Sequence, residues 1–590
     1  MSDTKKQSFL HGTALLALAT AAVKIIGALY KIPLNSIIGE TGFGYFNTAY
    51  QIYNVLLMIS TAGLPVAMSR MISQASSLGH YRQVRKIYTV CRTIFLTLGL
   101  ISALLMGGFA RVLAEAMGQP NAVYSIMFLA PAAFLICLMS TYRGFFQGQS
   151  NMTPTSVSQV LEAFVKLIVG IAMAMLLKFY FSSIPLAGGG AILGVSVSCL
   201  ASSFYLNHCY RKAIKNMPVT TEETGSFKDI TKGLLAIAIP ITIGSAGLQL
   251  LNVLEIGIYM GQIRENTDEM YNMVQLLEQM KTYGYTDKLD GQFLRAVVES
   301  NSIRFYYENP EVAGQALSVL VSRAEGISYI IDTQKGIYDM SMTIFNMPCA
   351  FITPITISII PAITAFITTG DHKNARSNAE SAARVTALIS MPCAVGLFVM
   401  AEPVTALLGG YSGEKLILAT NLMRIMSVCI MFNAIVLLSN ALMQAHGHVV
   451  LPVVNMFVGG VLKLAAVYIH TGNPHIGILG TPLGSLLCYL SITVLNLISM
   501  RRVLKDSPAI LKNMLRGFLS AVIMGVFAFG VRYVLKNMLG VGSNLILCAL
   551  PILVGVVVYL VCAVTLKAIT REDCLLLPKG EKIAKLLHLK

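Results

Sequence analysis

Lys24 and Lys31 stand seven residues apart in an apolar stretch. On a helix that spacing puts both ammoniums on one face, about 10.5 Å apart along the axis. Two cations so placed can hold a pyrophosphate and guide the group attached to it. Lys31 lies near the end of its stretch, where a lysine can also simply reach water. Glu162 and Lys166 form an i, i+4 pair in another apolar run. They read either as a neutralised buried pair or as a cavity lysine that substrate frees from its acid. Lys463 has Gly459, not an acid, four residues before it, which leaves it more open to an anion. Glu255 and Asp339 suit H⁺ or Na⁺ binding, or structural pairing. Arg424 lines the second half of the chain or bridges it. Arg143 suits a helix C-terminus, where a cation meets the last carbonyls. Charges inside apolar spans are costly, so each one marks either a function or a partner.

The composition says what surrounds these charges. Of 590 residues, 55% are apolar and only 12% charged. Soluble chains carry about 25% charged residues. So few charges cannot solvate a surface of this size, and most of it must face lipid. The net charge of +16 would suggest nucleic acid in a soluble protein. Here it fits loops that collect Lys and Arg on one side of a membrane, and no nucleic-acid partner is expected. The 11 cysteines include no Cys-x-x-Cys pair and lie mostly in apolar runs, as small buried hydrophobes rather than metal ligands. With no Trp, an interfacial aromatic belt must use Tyr and Phe. No Walker A loop, His-Glu-x-x-His or Gly-x-Ser-x-Gly occurs, so no enzyme, catalytic residue or cofactor is expected. Energy for any transport would come from ion gradients, membrane potential or the lipid gradient.

Apolar runs of helical length give about 14 candidate spans. They cover 9–38, 46–73, 86–110, 121–147, 154–181, 186–209, 230–262, 336–369, 380–408, 416–445, 451–470, 476–500, 512–536 and 543–568. The run opening the chain is too long for a signal-peptide core, so the first helix is expected to stay. With the N-terminus in the cytoplasm, inner loops hold Arg82, Arg85 and Lys86, then Arg211, Lys212 and Lys215, then Lys373 and Arg376, then Arg501 and Arg502. This asymmetry predicts a multi-pass protein of the cytoplasmic membrane with both termini inside. Residues 263–335, with 11 acids and 7 bases, break the pattern and read as an extracytoplasmic polar insertion. It is either a solvated loop or a docking and gating element. Pro65, Pro240, Pro354 and Pro361 can supply hinges.

The halves echo each other. Gln147-Gly148, Pro154 and Lys166 parallel Gln444-Ala445, Pro452 and Lys463, and both Gln-to-Lys spacings are 19 residues. Gln51-Ile52-Tyr53-Asn54 parallels Thr343-Ile344-Phe345-Asn346. Gly79 before Arg85 parallels Gly370 before Arg376. The expected architecture is an all-α polytopic membrane protein, with two homologous six-helix lobes around a central cavity plus two C-terminal helices. Residues 1–262 hold the first lobe and, from about 230, the first span of the second. Residues 336–500 complete the second lobe, and 501–590 hold the last two helices and a basic tail.

The run Lys24-Ile-Ile-Gly27-Ala-Leu-Tyr30-Lys31-Ile-Pro33 resembles the first span of the stage V sporulation protein B-like polysaccharide transporters. These are relatives of the lipid II flippases in the multidrug/oligosaccharidyl-lipid/polysaccharide exporter superfamily. Ser60-Thr-Ala-Gly63-Leu-Pro65, Arg143-Gly-Phe-Phe-Gln147-Gly148, Asn151-Met-Thr-Pro154 and Ser158-Gln159-Val-Leu-Glu162 are similar in the same way. The resemblance implies a cationic cavity for the pyrophosphate and sugars of a polyprenyl-linked precursor, with the polyprenyl chain in a groove near the last two helices. It implies a saccharide-carrying lipid and membrane lipids as partners, and wall-synthesis proteins as further candidates. Lys24 falls on the family's first-span cation and Tyr30 or Lys31 near the next. The second-span arginine is missing at Asn54–Met58, and the eighth-span arginine falls on Gly336 beside Lys335. The cargo therefore stays open between lipid II and other lipid-linked saccharides. A cation-coupled drug exporter of the superfamily and a non-transporting scaffold for wall synthesis are the rival readings.

Overall fold

The computed structural model describes the chain except residues 1–2, 59–63, 150, 223, 271–329, 350, 353–362, 365, 368–369, 449, 474–475, 505–506 and 571–590. The described residues form helices and their connections, without strands. The first half comprises α1 (Asp3–Met58), α2 (Leu64–Ser77), α3 (Tyr81–Gly108), α4 (Ala110–Ala116), α5 (Val123–Gly148), α6 (Thr153–Phe181) and α7 (Ile184–Lys215). Next come α8 (Phe227–Met270) and α9 (residues 330–349). They are followed by α10 (His372–Val399), α11 (Ala401–Gly409), α12 (Gly413–Ala445), α13 (Val450–Thr471) and α14 (Gly480–Val503). α15 (Ile510–Tyr533) and α16 (Asn544–Thr565) close the bundle.

Ten described helices are long and apolar enough to cross a membrane: α3, α5, α6, α7, α10 and α12 to α16. The other four expected spans fall on α1, on α1 with α2, on α8, and on α9 with the helical residues after it. Helix runs into both ends of the polar segment expected over 263–335. α8 continues to Met270, and α9 already includes residues 330–335. Asp332 and Lys335 lower the local hydropathy, yet both are buried. Polar side chains facing a neighbouring helix look like loop to a hydropathy window. The rest of the segment, 271–329, lies outside the described residues, as do Pro354 and Pro361.

The same packing order appears twice. α6 packs on α7, α5 on α7, α3 on α5 and α1 on α6. In the second half, α13 packs on α14, α12 on α14, α10 on α12 and α8 on α13. α15 lies on α10, and α16 on α15. The duplication reaches single atoms. A Cβ on Gly194 of α7 would lie 3.2 Å from the Lys166 carbonyl oxygen and 2.4 Å from Gly170 Cα. A Cβ on Gly484 of α14 would lie 3.2 Å from the Lys463 carbonyl oxygen. Both helix pairs therefore approach on a glycine opposite a lysine, as small residues permit in membranes. At the end of α6, Phe179, Tyr180 and Phe181 stand exposed, aromatic rings where Trp would otherwise serve.

Candidate functional site

The first lysine cluster forms where α1 bends. Gly39 breaks the helix with φ 72 and ψ 173, a conformation that costs a glycine little. Pro33 sits one turn and a half before it. After the break, Phe43, Phe46, Tyr50 and Tyr53 fall at helical spacing and form a ladder. Ring centroids are 6.1 Å apart for Phe43–Phe46, 5.5 Å for Phe46–Tyr50 and 5.2 Å for Tyr50–Tyr53. Lys31, from before the break, donates to Asn47 Oδ1 at 3.0 Å, and its Nζ lies 5.0 Å from the Tyr50 ring centroid. Lys166 reaches the same ring from α6, with Nζ 5.3 Å from the centroid and 3.1 Å from the hydroxyl. Two cations thus share one aromatic ring. Among the described residues, neither has an acid in ion-pair range.

The i, i+4 spacing of Glu162 and Lys166 does not make them a pair. Glu162 binds Arg143 of α5 at 3.0 Å and accepts the Tyr53 hydroxyl at 2.7 Å. Arg143 also donates through Nε to Ser158 at 3.1 Å. The fork of the guanidinium satisfies a buried carboxylate better than an ammonium does. Arg143 is therefore not a helix-end cation, as its sequence position suggested, but a buried tie between α5 and α6. Lys166, itself buried, is left to Tyr50.

The second half differs. Lys463 lacks an acid on its own helix, but α8 brings one: Glu255 Oε2 lies 2.5 Å from its Nζ. The expectation that Lys463 is the more available lysine is corrected by this contact. Its partner lies 208 residues away, and only tertiary packing joins them. Asp339 pairs with Lys335 at 2.5 Å, and Lys335 also donates to the Gly44 carbonyl at 3.3 Å. Arg424 is exposed on α12. Lys24 belongs to α1, but its side chain lies outside the described residues.

A third group, which sequence reasoning did not assemble, joins the halves at the Gly39 end. A Cβ on Gly336 would sit 1.8 Å from the Glu40 carbonyl oxygen, so α9 and α1 touch backbone to backbone. Asp332 accepts the Tyr45 hydroxyl at 2.8 Å and Gln119 Nε2 at 2.8 Å. Thr41 and Thr333 hydroxyls meet at 3.3 Å. Lys415 forms an ion pair with Glu40, and Asn35 Nδ2 donates to the Gly409 carbonyl at 3.2 Å. These contacts latch the two halves together.

Away from the charges, α9, α10, α11, α15 and α16 enclose a cavity of about 690 Å³. Its wall is almost wholly apolar, with Pro348, Pro392, Met524, Pro551 and Tyr559 among its residues. Such a wall takes a hydrocarbon chain and repels a headgroup.

A family described as polysaccharide biosynthesis protein matches residues 9–274, and a second family of the same description matches residues 327–417. Stage V sporulation protein B of Bacillus subtilis (strain 168) is 24% identical over 538 residues, covering 89% of this chain and 91% of that protein. Lipid II flippase MurJ of the same organism is 24% identical over 576 residues, covering 94% of each. This chain is a homologue of both. The fold agrees. A structure of lipid II flippase MurJ in an inward closed conformation superposes with a TM-score of 0.61 at 13% identity, covering 93% of this chain and 98% of that one. An inward-facing multidrug resistance MATE family transporter of the MOP superfamily gives 0.52 at 12% identity, covering 87% and 94%. The chain is accordingly a multi-pass membrane protein, and its helical fold is that of these two structures.

Proposed function

We propose that this protein is a flippase that moves undecaprenyl-pyrophosphate-linked saccharides, cell-wall or polysaccharide precursors, across the cytoplasmic membrane by alternating access. The observation that carries the reading is the pair of ammoniums, Lys31 and Lys166, gathered on Tyr50 without an acid of their own. A pyrophosphate supplies the charge that this cluster lacks, and an aromatic ring beside it suits a sugar face. Lys24, on the same helix, is a further candidate cation for the headgroup. The apolar cavity between α9, α10, α11, α15 and α16 suits the polyprenyl chain. With both termini cytoplasmic, the Gly39 end is extracytoplasmic, and the latch there holds the outer side shut. Arg424, a charge within a span, then serves the cavity wall rather than lipid. Glu255 and Asp339, each neutralised by a lysine, act as structural pairs more readily than as ion-coupling sites.

The test is flipping in proteoliposomes with defined lipid-linked sugars. The purified protein should move undecaprenyl-pyrophosphate-linked saccharide, and Lys166→Ala should slow movement about 10- to 100-fold at unchanged membrane abundance. Movement of lipophilic cations but not of the anionic lipid would establish the drug-exporter reading instead. Cysteine labelling of Asn301→Cys only after the inner face is opened would overturn the topology.

A further inference from the structure

At the end of the bundle opposite Gly39, the halves start equivalent helices in the same way. Gly79 and Gly370 both turn with left-handed φ, +75° and +74°, and α3 and α10 begin two residues later. In the first half, a strap between α7 and α8 covers this start. Glu222 accepts the amides of Arg82 and Gln83 at 2.6 and 3.1 Å, and Arg85 donates to the Met217 carbonyl at 2.9 Å. In the second half, Asp371 caps α10 by itself. Its Oδ1 accepts the Asn374 amide at 3.1 Å and its Oδ2 the Asn374 side chain at 2.6 Å. Arg376, the repeat mate of Arg85, turns its Nε to Glu380 at 3.1 Å rather than to carbonyls of the neighbouring helix.

What stands beside that helix start is a cavity of about 160 Å³ between α10, the α12–α13 turn and the end of α14. His372, Arg376, His446 and His448 line it over Leu504 and Pro508, and among the described residues that line it none is a carboxylate. His446 Nδ1 lies 2.8 Å from the Leu442 carbonyl. A carbonyl only accepts, so Nδ1 carries the proton.

We propose that this pocket is a second, non-transport anion site that takes a phosphate-type group. Four basic side chains from two separate segments, His372, Arg376, His446 and His448, converge on one small cavity. The site lies on the second half alone and shares no residue with the Lys31–Lys166 cluster. A phosphate can arrive there as the headgroup of an anionic phospholipid or as a soluble ion.

Two measurements on the full-length protein separate the sources. Inorganic phosphate should raise the melting temperature of the detergent-solubilised protein more than chloride of equal ionic strength if the soluble ion is the ligand. Phosphatidylglycerol should be retained in native mass spectra from phosphatidylcholine–phosphatidylglycerol nanodiscs if a lipid is. Either response should weaken about tenfold in the Arg376→Gln, His446→Gln double variant, as expected for loss of charge-assisted contacts. His448→Gln, at an exposed position that does not bear on folding, should weaken it in the same direction. Absence of both responses, or responses equal in wild type and His448→Gln, would overturn the site.

Discussion

Lys166 and Lys463 occupy the same place in two copies of one bundle, yet they meet different surroundings. Each has a glycine of the neighbouring helix, Gly194 or Gly484, packed against its own carbonyl. The backbone frame is therefore shared to within a side chain. In the first lobe the local acid, Glu162, is taken by Arg143, and the lysine stays on Tyr50 beside Lys31. In the second lobe Glu255 crosses from α8 and closes on the lysine. A duplicated frame has thus been given one lysine held by an acid and one held by an aromatic ring, by the placement of single carboxylates. For the flippase proposed above, that difference would leave the first lobe's lysines to meet an anionic headgroup.

The sharpest way to break this contrast is to remove the second lobe's acid. Glu255→Ala strands a buried ammonium and should cost about 3–5 kcal/mol, read as a lowered melting temperature. Adding Lys463→Met should recover most of that loss. An unaltered melting temperature in the single variant would mean that Lys463 is not locked, and the lobes would no longer differ in kind. In the first lobe the expected loss falls on transport instead. Lys31→Ala or Lys166→Ala should each slow flipping about 10- to 100-fold through lost charge-assisted contacts, with stability retained. The Glu255→Gln, Lys463→Met variant should keep its flipping rate. If it fails while well folded, the second lobe also binds the headgroup.

Gly336→Ala sharpens the comparison at the seam between the lobes. Its new methyl group has no room against Glu40, and overpacking of this sort costs about 1–3 kcal/mol. The latch should open part of the time, and a cysteine placed at Asn35 should react faster with an impermeant reagent added outside. Unchanged reactivity would show that the latch does not gate that side. The smallest effect belongs to the strap of the first lobe. Desolvation pushes the Glu222 carboxyl up, but hydrogen bonds from the Thr220 hydroxyl, its own amide and the amides of Gln83 and Arg82 together outweigh it and hold it at about 2. A depressed carboxyl stabilises above its unfolded value. The strap should stay docked at neutral pH and loosen as pH falls from about 4.5 toward about 2. Acid-tolerant proteolysis between α7 and α8 reads this directly, and Glu222→Gln should flatten the pH dependence.

The helical, lipid-embedded class was legible because charge is scarce and apolar runs are long. The repeat was legible in Lys166 and Lys463, and the individual charges stood out because spans tolerate so few. Their partners were not legible. Spacing on one helix offered Glu162 to Lys166, whereas packing gave it to Arg143. Spacing offered Lys463 nothing, whereas packing brought Glu255 across the chain. Tyr50 gave no signal of its own, since an aromatic stripe on an apolar helix reads as ordinary core. Asp332 and Lys335 were placed in the polar insertion because hydropathy counts charge without seeing what buries it.

The bend at Gly39 has a mechanical meaning. Lys31 and Asn35 lie on one arm of α1, while Glu40, Asn47 and Tyr50 lie on the other. Lys31 grips the far arm through Asn47 and Tyr50, and each arm also grips the second lobe, through Asn35 to Gly409 and Glu40 to Lys415. Clasp and latch therefore turn on one pivot. Swinging either arm to part the lobes also pulls Lys31 from its ring, so in the proposed flippase the rotation that uncovers an exit would also loosen a headgroup held at Lys31.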